Sequence, residues 1–518
     1  MGGPDGSMPG LLPANTWGSD PTLRAVLGSW LRPPTLAWAE PSLIDMGRAA
    51  VDELQAWGDA CERQPAVLWA FDGWGNRIDE VVYPHAWRQL AAVTARAGLV
   101  AAPYESETLA RAGSEARLVQ AALCYLFAPS TATYLCPVAM TDGAARVLAD
   151  GGDGQAPDAL RHLTSRDPST AWTSGQWMTE RQGGSDVGLN TVVAKRDGGH
   201  WRLFGQKFFC SNIGCEVALA LARPQDAAPG TRGLALFLVP RDLDDGRRNS
   251  YRIDRLKDKL GTRAMATGEV TLDGARAELV GEAERGFAQM TAMLNITRLH
   301  NAITAAATMR RAWMLACAYA GQRVAFGRKL DEHPLHQEVL RAMAADADGA
   351  LYLTMRMAQL LGRIETNEAT SGEAALFRLG IALTKLYTAK QAVAVVSQAL
   401  ECFGGQGYME DTGLPRLLRD AQVLPIWEGT TSVLALDGLR VLRRPETLDC
   451  LDAELKRLDA PDRHRVLDEA HHAIRGDLEP AERAARQLAF ALAEAWMNGL
   501  LQSSPTPVRL PGIGLRRR

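Results

Sequence analysis

Residues 176–187 read Gln176-Trp177-Met178-Thr179-Glu180-Arg181-Gln182-Gly183-Gly184-Ser185-Asp186-Val187, and here the texture of the chain changes. Upstream, Ala- and Leu-rich helical patterns run from Trp87 to about Ala149, broken at Pro103, Pro129 and Pro137. Downstream, short strand-like runs succeed one another: Thr191-Val192-Val193-Ala194, Trp201-Arg202-Leu203-Phe204, Ala218–Ala222, Leu234–Val239 and Gly268–Leu272. Asp197-Gly198-Gly199 and Pro229-Gly230 supply turns, the pattern of a compact antiparallel sheet domain. From Gly286 to about Leu442 the chain is helical again, with almost no breakers. The fold class is therefore mainly α with a central β domain. The expected order is an irregular arm at 1–40, an α-helical domain at 41–175, the β domain at 176–282, a helix bundle at 283–442, and a helical extension with a tail at 443–518.

With 518 residues the chain exceeds one ordinary core. Its 47% hydrophobic content and formal charge of -3 describe a soluble globular protein without the basic excess of a nucleic-acid binder. Eight cysteines show no metal-ligand spacing, so no metal site is expected and they read as reduced core residues of a cytoplasmic protein. Neither an apolar signal core in the Gly/Pro-rich start nor an 18-residue apolar run is present, so secretion and membrane spanning are not expected. Ser42–Gln64 reads as one helix, Phe71–Arg77 as a turn, and Asp150–Ser169 as a linker. His85, between Pro84 and Trp87, reads as structural in preference to a catalytic base.

Chemistry concentrates in a few stretches. In Val423-Leu424-Pro425-Ile426-Trp427-Glu428-Gly429-Thr430-Thr431-Ser432, one carboxylate stands among bulky apolar residues. Partial desolvation would raise its pKa and suit it to accept a proton, while Gly429 lets a ligand approach the backbone. A helix start with an acidic residue near its N-terminus accounts for the same letters. The loop Met178–Val187 gathers hydroxyl and carboxyl groups around two glycines, as a polar or phosphorylated ligand requires; a capped hairpin loop is the bland alternative. Gly205-Gln206-Lys207-Phe208-Phe209-Cys210-Ser211-Asn212 pairs aromatic rings with a hydroxyl, able to stack on a ring and bond its edge. Arg323 and Arg328 end a helix in Gln322–Arg328, where the dipole alone favours cations, or form a phosphate clamp. Glu401–Tyr408 is Gly-rich but follows no strand, which excludes a Rossmann fingerprint.

Taken in this order, these stretches resemble the acyl-CoA dehydrogenase family over about Phe71 to Leu442. M-T-E-x-x-G-G-S-D is similar to its flavin and substrate loop, G-Q-K-F-F-C-S-N to its second flavin loop, and R-V-A-F-G to a segment reaching the FAD of a neighbouring subunit. F-G-G-Q-G-Y and I-W-E-G-T-T complete the set. F-D-G-W-G-N-R-I-D-E-V, H-A-W, Leu135-Cys136-Pro137 and the C-terminal extension resemble its AidB-like branch. Phe209 stands where a Trp is common, Ser211 where a Thr is, Trp427 for the frequent Tyr, and Glu401 and Ser432 where Gln is frequent.

The resemblance implies two α-helical regions around a β domain, a dimer of dimers, and FAD at subunit junctions. It makes Glu428 the base that removes an acyl α-proton while the β-hydrogen leaves as hydride to flavin N5. It places Met178, Thr179, Ser185, Phe209 and Ser211 along the isoalloxazine ring, with Trp427 also on the cofactor side. Arg323 and Phe326 meet the partner's FAD, and Gly404, Gly405 and Thr430 its adenosine diphosphate. Ser185, Arg298 and Gly429 form the substrate side, and an acyl thioester, above all acyl-CoA, is the implied substrate. The electron acceptor stays open. The alternative is an AidB-like DNA-associated flavoprotein of the alkylation-damage response. Residues 443–518 argue against it, with 13 Lys and Arg against 12 Asp and Glu.

Overall fold

Prolines of the segment expected to be an irregular arm start helices in the structure, a computed structural model that describes residues 10–151 and 156–503. The Gly/Pro-rich start up to residue 9, residues 152–155 of the expected linker, and the tail with Arg509 and Arg516–Arg518 lie outside the described residues. Instead of an irregular arm, residues from 21 onward form α1 (Pro21–Trp30) and α2 (Pro33–Ala49), each with Pro in its first turn. Proline is well suited there, because its fixed φ is helical and its missing N–H would have had no partner. The helix expected over Ser42–Gln64 is divided between the end of α2 and α3 (Glu53–Arg63).

The hairpin β1 (Val67–Phe71) and β2 (Arg77–Val82) follows, closed by Asp72, whose Oδ1 accepts the N–H groups of Trp74 and Asn76, both at 2.8 Å. Helices α4 (His85–Arg96), α5 (Ser106–Ala112), α6 (Ala116–Phe127), α7 (Leu135–Asp150) and α8 (Pro157–Leu163) come next, the last inside the expected linker. The sheet comprises β3 (Ser174–Trp177), β4 (Val193–Asp197), β5 (His200–Ser211), β6 (Val217–Pro224), β7 (Ala235–Pro240), β8 (Tyr251–Leu256) and β9 (Thr267–Val280). The chain then runs through α9 (Gly286–Ala320), α10 (Pro334–Glu365), α11 (Ser371–Cys402), α12 (Leu414–Ala421) and α13 (Thr431–Leu442). It ends with α14 (Pro445–Arg457), α15 (Arg463–Arg475) and α16 (Leu478–Gln502). Among the described residues no helix is long and apolar enough to cross a membrane.

Contacts divide the chain into two compact units. A sheet unit holds residues 56–105 and 131–297; a bundle unit holds the described residues up to 55, then 106–130 and those from 298. In the sheet unit β4, β5, β9, β7 and β6 pair in a ring, with β3 added to β6 and β8 to β9. Ring closure removes open edges. Most pairings are antiparallel as expected, but β3 and β4 run parallel to β6. The run Val217–Ala222 in β6 is apolar without alternation and wholly buried, as a strand covered on both faces should be. Trp177, Leu203, Ile213, Phe237 and Val270 fill the core.

In the bundle unit one buried polar cluster anchors α1. Asp20 caps it through Leu23 N–H (3.0 Å), accepts the Tyr125 hydroxyl (2.9 Å), and pairs with Arg310 Nε (3.1 Å). Arg310 also binds Asp348, which accepts the Thr22 hydroxyl at 2.7 Å. All four charged and phenolic groups are buried. Removing the cation leaves two carboxylates without their counter-ion, so Arg310→Leu should cost about 3–5 kcal/mol. Guanidinium denaturation followed by tryptophan fluorescence measures it; a loss under about 1 kcal/mol contradicts the anchoring role.

Candidate active site

The predicted residues fall into two groups, one in each unit. In the bundle unit the peptide turns sharply just before α13. Glu428 has φ +58 and Gly429 φ +103, both in the left-handed region. Thr430 then caps α13, its hydroxyl accepting Val433 N–H at 3.4 Å. Three successive carbonyls at this turn face buried cations. Lys385 on α11 donates to Trp427 O (2.7 Å) and Gly429 O (2.8 Å), and Arg298 on α9 donates through Nε to Glu428 O (3.3 Å). Asn301, one turn further along α9, donates to Leu424 O at 3.2 Å.

Lys385 is fully buried, and burial pushes its pKa down to about 7, with the charge of Glu428 acting in the opposite direction. Arg298 also pairs with Asp437 on α13 at 3.3 Å, and Arg378 on α11 grips the same carboxylate with two bonds of 2.6 and 3.1 Å. Burial opposes the Asp437 charge, but the hydrogen bonds and charge of Arg378, with the charge of Arg298, hold its carboxyl below the usual range. Glu428 and Trp427 are half-buried, and Ile426 is exposed. The apolar neighbours read from the sequence are thus joined by two cations, of which Lys385 had not been singled out.

Elsewhere in this unit, Val324-Ala325 pairs with Arg328-Lys329, and Phe326 at the tip of this ladder is 99% exposed with φ +52. Arg323, just before it, is exposed as well. Gly404 and Gly405 open a 3-10 turn after α11, and no atom lies within 4 Å of where a side chain would begin.

In the sheet unit, Glu180 organises the loop after β3. Its carboxylate binds Lys207 on β5 (2.7 Å) and accepts N–H bonds from Thr191 (2.6 Å) and Val192 (3.2 Å). Both partners are buried; burial opposes the Glu180 charge, but Lys207 and the N–H donors outweigh it and hold the carboxyl below its ordinary value. Asn190 donates to Met178 O (2.8 Å) and Phe208 N–H to Thr179 O (3.0 Å), which ties the loop to β5. Gly184 is packed so closely on Thr179 that a Cβ would sit 2.6 Å from its hydroxyl. The structure therefore bonds the backbone of Met178 and Thr179 to β5, the strand that carries Phe209 and Ser211. Ser185 is exposed on the same loop. Phe209 is 54% exposed, with Lys257 4.6 Å from its ring centroid, and Ser211 Oγ lies 3.1 Å from Thr267 Oγ1. A cavity of ≈ 350 Å³ in this unit, lined by Tyr83, Trp87, Tyr134 and Arg241 among others, contains none of the predicted residues. His85 is exposed and lies 3.2 Å from Gln89 Nε2.

Lys207, Lys385, Arg378 and Asp437 were missed in the sequence. For Lys385 a signal existed: Ile381-Ala382-Leu383-Thr384-Lys385-Leu386 places a lone charge in a helical run of mostly apolar residues.

Comparison with known proteins adds independent findings. The adaptive response protein AidB N-terminal domain matches residues 7–167, the acyl-CoA dehydrogenase middle domain 175–275, and the acyl-CoA dehydrogenase C-terminal domain 284–442. Acyl-CoA dehydrogenase family member 11 of Caenorhabditis elegans is 39% identical over 525 residues, covering 94% of this chain and 84% of that one. The putative acyl-CoA dehydrogenase AidB of Escherichia coli is 35% identical over 440 residues, covering 83% and 78%. The solved structure of Caenorhabditis elegans ACDH-11 in complex with C11-CoA matches with a TM-score of 0.91 at 38% identity, covering 98% of this chain and 90% of that one.

The Glu180 node yields a test of the loop. Lys207→Met strands a buried carboxylate and should destabilise by about 3–5 kcal/mol, whereas replacing both partners, Lys207→Met with Glu180→Leu, should recover much of that loss. Thermal and chemical denaturation of the single and double variants measures this. Equal stability of the single variant and the parent would show that the pair does not hold the loop.

Proposed function

We propose that this chain, which belongs to the acyl-CoA dehydrogenase family and carries the AidB N-terminal domain, is an FAD-dependent dehydrogenase of an acyl thioester with Glu428 as its base. One observation carries this reading: a glutamate occupies a left-handed turn whose flanking carbonyls are held by Lys385 and Arg298. A carboxylate fixed in this way can accept the proton from the carbon α to a thioester carbonyl. The relative solved as a complex with C11-CoA supports an acyl-CoA as the thioester. Ser185, Arg298 and Gly429 are the residues we assign to its binding.

The donor set fits FAD. Hydroxyls of Thr179, Ser185 and Ser211 beside Met178 and the exposed Phe209 ring suit a flat ring with polar edges. In the bundle unit we assign Trp427, Gly404, Gly405 and Thr430 to the cofactor as well, and at the two glycines the space where a side chain would begin is open, which suits a diphosphate. FAD bound there would supply the acceptor for the β-hydrogen leaving as hydride. Arg323 and the wholly exposed Phe326 favour contact with a neighbouring subunit's cofactor in a homotetramer, because a large apolar ring on a rigid tip gains by being covered. Eight free cysteines suit the reducing cytoplasm.

The AidB N-terminal match also raises a DNA-associated role, which we place second. Four cations of the last three helices have acidic partners close by: Arg457 with Glu454, Arg463 with Asp452, Arg465 with Asp462 and Glu469, and Arg483 with Glu479.

Two experiments test these readings. Anaerobic mixing of the yellow protein with a panel of acyl-CoAs should bleach the flavin, and Glu428→Gln should slow single-turnover bleaching by at least about 10²–10⁴-fold, with FAD retained and ligand affinity little changed. Bleaching at the parent rate removes Glu428 from the mechanism. Duplex DNA binding should be weak and vanish at physiological salt, since few phosphates can be neutralised. Sub-micromolar affinity at that salt, measured by fluorescence anisotropy, would reverse the ranking of the two roles.

A further inference from the structure

Lys385 lies in the middle of α11 with no exposed surface, and among the described residues it has no ion-pair partner within contact distance. Its hydrogen-bond acceptors are the carbonyls of Trp427 and Gly429, the residues immediately before and after Glu428. A buried ammonium is costly unless oxygens replace its water, so two short bonds to backbone oxygens are a strong constraint on the backbone. Between those two carbonyls the chain adopts φ +58 at a glutamate, a conformation unfavourable for a residue with a Cβ. Such a conformation persists only where the surroundings over-determine it. Arg298 holds the third carbonyl of the turn, but its guanidinium is shared with Asp437 and its bond to Glu428 O is longer, 3.3 Å.

We propose that Lys385 is the positioning residue for Glu428: by gripping the carbonyl on either side it locks the turn in its left-handed form and fixes the direction of the carboxylate. The functional side of this proposal rests on Glu428 being the base. The conformational side does not.

Lys385→Met keeps the length and bulk of the stem and removes the donors. Hydrogen–deuterium exchange on the full-length FAD-loaded protein should show the amides of residues 426–430 exchanging about tenfold faster or more, with the protection of α11 and α13 unchanged. Flavin reduction by an acyl-CoA, normalised to bound flavin, should fall about 10²-fold at unchanged ligand affinity, the size expected for a misplaced reacting group. In a Glu428→Gln background the same substitution should add nothing to the loss, because it acts through that side chain. A merely structural lysine would lower stability and flavin content while leaving both the local exchange and the rate per bound flavin at parent values; that result overturns the proposal, as does an additive double variant. Where Lys385→Met does not fold, Lys385→Gln, one bond shorter and still a donor, should change the same two readouts in the same direction. A parent protein that is never bleached by any acyl-CoA removes the dehydrogenase reading alone, and the exchange measurement still decides whether Lys385 holds the turn.

Discussion

Three consecutive carbonyl oxygens, those of Trp427, Glu428 and Gly429, are held by two cations withdrawn from water, and much of the bundle unit is arranged to make that possible. The turn precedes α13, so its carbonyls have no helical N–H to accept from. A lysine from α11 and an arginine from α9 supply the donors instead. Once there, the cations must be balanced, and Asp437 on α13 answers Arg298 while binding Arg378 from α11. One requirement, that buried charge be met by oxygen and buried oxygen by a donor, thus ties α9, α11 and α13 to the nine residues that connect α12 to α13.

The sheet unit meets the same requirement with a different device. Glu180 lies at the start of a loop whose backbone cannot continue the ladder, and its carboxylate collects Lys207, Thr191 and Val192. These bonds tie the start of the loop to its end, with Thr179 packed against Gly184 and with Phe209 and Ser211 on the adjoining strand. Rigid elements present a ligand-binding surface more accurately than mobile ones. In both units the residues that face outward are supported by charged residues that do not.

That division explains what the sequence could and could not reveal. The order of helix, sheet and helix was legible because periodicity records which faces are covered, and Val217–Ala222 recorded a strand covered on both. The candidate site residues were singled out because glycine, hydroxyl and aromatic types fall together in short runs, although a capped loop or a helix start uses the same types. Parallel pairing of β3 with β6 was not, since nothing local distinguishes strand direction. The helices after residue 20 were hidden by prolines that occupy first turns, where composition resembles a loop. Lys207 and Lys385 were hidden more deeply, because an isolated lysine in a helix or strand is ordinarily a solvated side chain; only the mostly apolar run around it marks Lys385 as different.

The geometry of the turn also separates the two meanings that Glu428 had in the sequence. A glutamate kept for its effect on a helix start would serve as the cap or sit in the first turn of α13. Thr430 is the cap, and Glu428 precedes it by two residues with its own backbone in the left-handed region. Glycine or asparagine would adopt that conformation at less cost, and Gly429 beside it does so freely. Helix capping therefore accounts for Thr430 and leaves the glutamate unexplained. The base role proposed for its carboxylate would account for it, and Arg298 and Lys385 hold the carbonyls around it while Trp427 stands at its flank. Strain of this kind points from an observed conformation toward a role in chemistry, and here the backbone restraint and the functional proposal converge on one residue.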